Sequence, residues 1–228
     1  LPCLNKRGVE FAIRVCHALH MEIDELLCFD RKNYYYSDLP KGFQITQDKR
    51  PIGRNGYLMI EVDGEEKRID IERLHMEEDT AKQLHLTDYS LIDYNRAGIP
   101  LIEIVTKPCI RSGKEASAYL EALRQVFLYT EASDAKLEEG SMRCDVNVSI
   151  RPFGQEAFGT RTEIKNLNSI SNVQKAIDYE AGRQQEVIES GGEVLQETRR
   201  YDEVEKVTTV MRSKGDAVDY KYYTEPNI

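Results

Sequence analysis

Between Met142 and Arg151 the chain alternates without a break. Met142, Cys144, Val146, Val148 and Ile150 interleave with Arg143, Asp145, Asn147, Ser149 and Arg151. Successive strand side chains point to opposite faces, so this pattern predicts a β-strand with one face in a core and the other polar. A strand needs a hydrogen-bonded neighbour, and Thr160 to Lys165 can supply an antiparallel one. Thr162 and Ile164 would share one face of it, and Arg161, Glu163 and Lys165 the other.

Other elements follow from local signals. Asn5 caps a helix striped by Val9, Ala12, Ile13, Cys16 and Leu19. The aromatic, basic stretch from Phe29 to Gly42 reads as loop-rich. Tyr57 to Val62 and Lys67 to Arg73 read as strands joined across Asp63-Gly64, a hairpin signal. Tyr89 to Tyr94 and Leu101 to Val105 read as two more, separated by Asn95-Arg96-Ala97-Gly98. Ser112 and Glu115 form a capping box before a helix bearing Ala116, Tyr119, Leu120, Leu123 and Phe127. Asn168 or Ser169 caps a third helix, which Gly191-Gly192 ends. A final hairpin pairs Glu193 to Thr198 with Lys206 to Met211. Hairpins dominate, so the fold class is α+β, a largely antiparallel sheet with packed helices.

At 228 residues the chain holds one large domain or two modest ones. No stretch approaches the ~18 apolar residues of a membrane span. The net charge of -9 argues against gripping nucleic acid by bulk positive charge, though a local tRNA site stays open. Acidity is concentrated: residues 61–95 carry 4 basic and 11 acidic side chains, against 9 and 7 in residues 1–60. Cys3, Cys16, Cys28, Cys109 and Cys144 are odd in number and lack CxxC spacing, which reads as reduced thiols in a cytoplasmic setting. The start at Leu1-Pro2, without a signal peptide, and the uncapped end at Ile228 read as a piece of something longer.

P-loop, GxGxxG, GxSxG and HExxH patterns are absent, which removes support for Rossmann and α/β-hydrolase readings. His17 and His20 read as solvent residues of a surface helix. Glu103 interrupts the apolar run Leu101 to Val105, and Glu77-Glu78-Asp79 follow a hydrophobic strand. A carboxylate inside an apolar strand is costly unless it is paired or bound to a metal, and carboxylate oxygens suit Mg²⁺. The alternatives are a half-exposed strand edge for Glu103 and a solvated turn for Glu77 to Asp79. Arg143, Asp145 and Asn147, beside Arg161, Glu163 and Lys165, could bind a nucleotide phosphate and its metal. A ladder of cross-strand ion pairs explains the same pattern.

Seven segments together resemble the B subunits of the aspartyl/glutamyl-tRNA amidotransferases. They are Phe29-Asp30-Arg31-Lys32-Asn33-Tyr34, the run Leu39 to Ile45, Leu74-His75-Met76-Glu77-Glu78-Asp79, Pro100 to Val105, Glu138 to Asn147, Thr162 to Ser169, and Asp219-Tyr220-Lys221-Tyr222-Tyr223. The resemblance covers essentially all 228 residues, in the family's order and spacing.

That resemblance implies a glutamine-synthetase-like cradle domain. It would use ATP and Mg²⁺ to phosphorylate the side-chain carboxylate of misacylated Glu-tRNA(Gln) or Asp-tRNA(Asn). In the family's heterotrimer, whose other members are the amidase, or A, subunit and the small, or C, subunit, ammonia from the amidase would then displace the phosphate. Glu78 and Glu103 fall on the family's metal-site carboxylates, Lys32 and Lys41 on its ammonia path, and Arg143, Asp145 and Asn147 on the strand facing the nucleotide. The family's Glu-x-His would precede Leu1, and its helical and tail tRNA-binding domains would follow Ile228. Residues 1–228 are therefore expected to be an N-terminally truncated cradle domain, catalytically silent alone. Another Mg²⁺-dependent carboxylate-activating ligase and a non-catalytic assembly domain are the competing readings.

Overall fold

The computed structural model describes residues 2–213 and 220–228, so Leu1 and Asp219 of the segments above lie outside the described residues. Among the described residues the α+β class holds, with three α-helices and mostly antiparallel sheets. None of these helices is long and apolar enough to cross a membrane.

The chain divides into two compact units. The first comprises Leu1–Leu58, Arg68–Cys109 and Val218–Ile228; the second comprises Met59–Lys67 and Ile110–Ala217. In the first unit, α1 (Lys6–Ala18) starts where the Asn5 side chain accepts from the Gly8 N–H at 3.1 Å. Its buried Ala12, Val15 and Cys16, with Leu19, form the core beneath β1 (Glu22–Ile23) and β8 (Pro100–Thr106). These strands belong to a sheet ordered β1-β4-β5-β8, with β4 at Gly53–Val62 and β5 at Glu65–Glu78. The turn between β4 and β5, in the Met59–Lys67 segment counted with the second unit, is Asp63-Gly64, with φ of 54° and 81°, the double positive φ of a type I′ hairpin.

Two further sheets complete this unit. The Phe29–Gly42 stretch, expected as loop, contains β2 (Asp30–Asn33), which pairs with β3 (Phe43–Thr46) on one side and β13 (Lys221–Thr224) on the other. Its residues Asp-Arg-Lys-Asn carry no apolar alternation, because the strand is held by its neighbours and not by an apolar face of its own. β6 (Lys82–His85) and β7 (Ser90–Asp93) form a separate two-stranded sheet, joined to the Ser37 region by the Ser37 Oγ–Gln83 hydrogen bond at 3.2 Å.

In the second unit, α2 (Gly113–Tyr129) and α3 (Ile170–Glu189) pack together beside a sheet ordered β12-β11-β10-β9. Ser112 caps α2 by accepting from the Glu115 N–H, but the Glu115 carboxylate takes the Arg111 N–H and Lys67 Nζ. Ser169 caps α3. The strand read from Met142 to Arg151 is correct in alternation but long in extent. Burial alternates from Met142 to Val148, yet only β9 (Val146–Val148) meets β10 (Thr162–Lys165). The final hairpin also shifts. Asp202 Oδ1 accepts from the N–H groups of Val204 and Glu205, which fixes the turn there and gives β11 (Glu197–Asp202) and β12 (Val207–Ser213). β10 and β11 run parallel, joined through α3.

Candidate functional site

The bulge in β5 decides which side chains meet. Between Ile71 and Arg73 the register with β8 slips, so the core-facing positions pass from Ile69 and Ile71 to Leu74 and Met76. His75 and Glu77 therefore share the opposite face, and Glu103 of β8 pairs directly with His75. Buried Gln47 fixes the strand between them. Its Oε1 accepts from the N–H groups of Met76 (2.9 Å) and Ile52 (3.1 Å), while Nε2 donates to the Cys28 carbonyl.

One donor atom each from His75, Glu77 and Glu103 lies within 4.8 Å of the others. His75 Nε2 stands 3.7 Å from a carboxylate oxygen of both Glu77 and Glu103, beyond hydrogen-bond reach. His75 Nδ1 is buried without a hydrogen-bond partner. Two carboxylates and an imidazole that converge without bonding one another fit a divalent cation. The carboxylates suit Mg²⁺, and the imidazole extends the set to Mn²⁺ or Zn²⁺. Tyr222 of β13 lies within reach of these charges. Burial raises its phenol above the usual value, and the negative charges of Asp48, Glu77 and Glu103 raise it further.

The three adjacent carboxylates go three ways. Glu77 turns to His75, Glu78 accepts from Lys41 Nζ at 2.6 Å and the Ile45 N–H at 2.9 Å, and Asp79 lies 3.3 Å from Arg96 Nε. Glu78 is thus brought to Lys41 and not to Glu103. The extent of β5 explains this: it runs through Glu78, so neighbouring Glu77 and Glu78 project to opposite faces. Lys32 lies over the Tyr220 ring at 4.3 Å and the Tyr34 ring at 5.7 Å.

In the second unit, Arg143, Asp145 and Asn147 are all exposed. Asp145 is bound to Lys165 at 2.7 Å, and Asn147 pairs with Glu163 across the ladder. Burial pushes the Cys16 and Cys144 thiols up to about 12, which removes them from thiolate chemistry near neutral pH.

The sequence model of the GatB/GatE catalytic domain matches residues 1–228. The chain belongs to that family. Relatives named as the B subunit of aspartyl/glutamyl-tRNA(Asn/Gln) amidotransferase support the assignment. The Mesoplasma florum protein is 59% identical over 228 residues, and that of Staphylococcus aureus is 58% identical over the same length. A Carboxydothermus hydrogenoformans relative is 56% identical over 233 residues. Each match covers 100% of this chain and 48% of the relative, so the chain spans about half the length of these proteins. Within this GatB/GatE domain, His75 and Gln47 are the residues that sequence reasoning passed over, and Glu77 was read only as one of the adjacent carboxylates Glu77-Glu78-Asp79. The signal that joins His75 to Glu77 was strand parity carried through Glu78; for Gln47 there was none.

Proposed function

We propose that this domain activates the side-chain carboxylate of Glu-tRNA(Gln) or Asp-tRNA(Asn) for amidation. A carboxylate oxygen attacks the γ-phosphorus of ATP, the bond to the ADP oxygen breaks, and an acyl phosphate forms. Ammonia then attacks the acyl carbon, phosphate leaves, and a proton is lost to give the amide. The observation that carries the reading is the meeting of His75, Glu77 and Glu103 on one face of the β5–β8 pair, in a chain of this family.

His75, Glu77 and Glu103 would hold a Mg²⁺ or similar divalent cation, which supplies positive charge against phosphate oxygens. Gln47 keeps the β5 backbone in place between the two ligands it contributes. Arg143, Asp145 and Asn147 are the nucleotide contacts in this reading, with Lys165 balancing the Asp145 charge. Lys32 and Lys41 serve the ammonia path. A lysine held against tyrosine rings repels ammonium and lets neutral ammonia pass, and the Lys41–Glu78 pair sets a charged point on the same path. The partners are an amidase that releases ammonia from glutamine, a small third protein of the same heterotrimer, and misacylated tRNA.

The test uses the full-length protein in complex with these partners. Glu103→Gln keeps size but removes the charge that binds a hard cation. Transfer of labelled γ-phosphate to misacylated tRNA should be lost, and Mn²⁺ binding read by electron paramagnetic resonance should fall with it. Glutamine hydrolysis by the partner should persist. Undiminished phosphate transfer by the variant would remove Glu103 from the site.

A further inference from the structure

Residues 151–159 of the second unit form a loop braced at its neck, tip and flank. At the neck, a Cβ on Gly159 would stand 2.1 Å from the Ile150 carbonyl oxygen, so only glycine lets the two ends close. At the tip, the Gln155 N–H donates to the Pro152 carbonyl at 3.1 Å and Gly154 takes a φ of 84°, which puts Phe153 at the outer corner of the turn. Along the flank, Gln155 Nε2 donates to the Ala157 carbonyl at 2.8 Å and Arg151 donates to the Glu156 carbonyl. A loop held this way has little conformational entropy left to lose on binding.

What the loop displays is unusual for a turn. Phe153 is 109% exposed and Phe158 is 52% exposed. The Phe158 ring carries the Arg151 guanidinium at 4.6 Å and that of Arg111 at 6.0 Å. Residues 150–161 hold two arginines against one glutamate, in a protein whose net charge is -9. Two separate rings, one of them carrying two guanidiniums, differ from the continuous apolar patch of a protein-docking face. They match the pairing of stacking rings and phosphate-binding cations used on unpaired nucleic acid strands.

We propose that this loop is a stacking contact for unpaired nucleotides of RNA, with bases on Phe153 and Phe158 and phosphates on Arg151 and Arg111. The choice of RNA rests on the proposed function, whose tRNA substrate ends in an unpaired strand. The contact is otherwise independent of the His75, Glu77 and Glu103 cluster.

Fluorescence anisotropy with a labelled single-stranded RNA of about eight nucleotides, and with its duplex, tests the proposal. The wild-type protein should favour the single strand. Phe153→Ala and Phe158→Ala should each weaken binding roughly ten-fold without shifting the melting temperature. Arg151→Gln should reduce the steepness of the salt dependence by about 0.7 in log–log slope. Val204→Ala, at an 85% exposed apolar residue of the same unit, should change nothing. No binding by the wild type, equal binding of duplex, or wild-type affinity in both phenylalanine variants would overturn the proposal. So would phenylalanine variants that impair assembly with the partner proteins while RNA binding stays intact, since the loop would then be a protein contact. Glu103→Gln should leave oligonucleotide binding unchanged, so the amidation reading and this one fail on different measurements.

Discussion

Replacing Glu180 with glutamine should destabilise the second unit in a way that pH reveals. Glu180 is fully buried in α3, beneath the β9–β12 sheet. Its carboxylate accepts from Thr162 Oγ1 at 2.7 Å, Thr208 Oγ1 at 2.8 Å, Gln184 Nε2 at 3.0 Å, and Arg183 at 2.7 and 3.0 Å. Burial alone would raise its pKa, but the hydrogen bonds from Arg183, Gln184, Thr162 and Thr208 outweigh it and hold the group at about 2, against a usual 4.5. A carboxyl lowered that far contributes at most ~3 kcal/mol at neutral pH, and about 2 kcal/mol after solvent screening. Glu180→Gln removes that charge and turns an amide N–H₂ toward groups that are themselves donors. The expected cost is about 2–3 kcal/mol, or a fall in melting temperature of roughly 5–10 °C. Because the folded pKa is depressed, the stabilisation is complete above pH ~4.5 and is lost as pH falls toward ~2. Thermal melts of both proteins at a series of pH values should therefore show a constant gap above pH ~5 that narrows below it. A gap within about 1 °C at neutral pH, or one that persists unchanged to pH ~3, would refute the reasoning.

Gln47→Leu should cost about 2 kcal/mol in chemical denaturation, because the buried N–H groups of Ile52 and Met76 lose their acceptor. Mn²⁺ affinity should weaken with it, through the strand that carries His75 and Glu77. Glu77→Gln should abolish Mn²⁺ binding while Glu78→Gln leaves most of it, a contrast that calorimetric titration can read; equal losses would mean Glu78 shares the cation. On the proposed ammonia-path reading, Lys32→Met or Lys41→Met in the full-length protein with its proposed partners should uncouple glutamine hydrolysis from amide formation while added ammonium salts still support the reaction. Equally poor use of glutamine and ammonium would rule out a role in the ammonia path.

Features set by a few neighbouring residues were legible in advance. The Asn5, Ser112 and Ser169 caps and the Asp63-Gly64 turn are each decided within four residues, and each stands where it was read. Strands without an apolar face of their own were not legible. β2 is Asp-Arg-Lys-Asn, and β13 is Lys-Tyr-Tyr-Thr with no side chain fully buried, so their pairing is set by partners far away in sequence. The candidate site was half legible for a related reason. Glu103 was evident as a charge in an apolar strand, but His75 and Glu77 depended on the end of β5 and on a bulge that shifts its parity. No local pattern marks where a bulge will fall.

The division of the chain has a consequence for biosynthesis. Asn33 of β2 donates to the Lys221 carbonyl across 188 residues, and Arg31 holds Glu225 across 194. At ~5–20 residues per second, the ribosome needs about 10–40 s to deliver β13 after β2 has been made. Throughout that interval one edge of β2 has no strand to pair with, and such an edge invites pairing with other chains. The segment Ile110–Ala217 emerges whole within the same wait and can fold first. A pause or a cut anywhere in that segment would strand the earlier residues with an open sheet edge, however sound their own sequence.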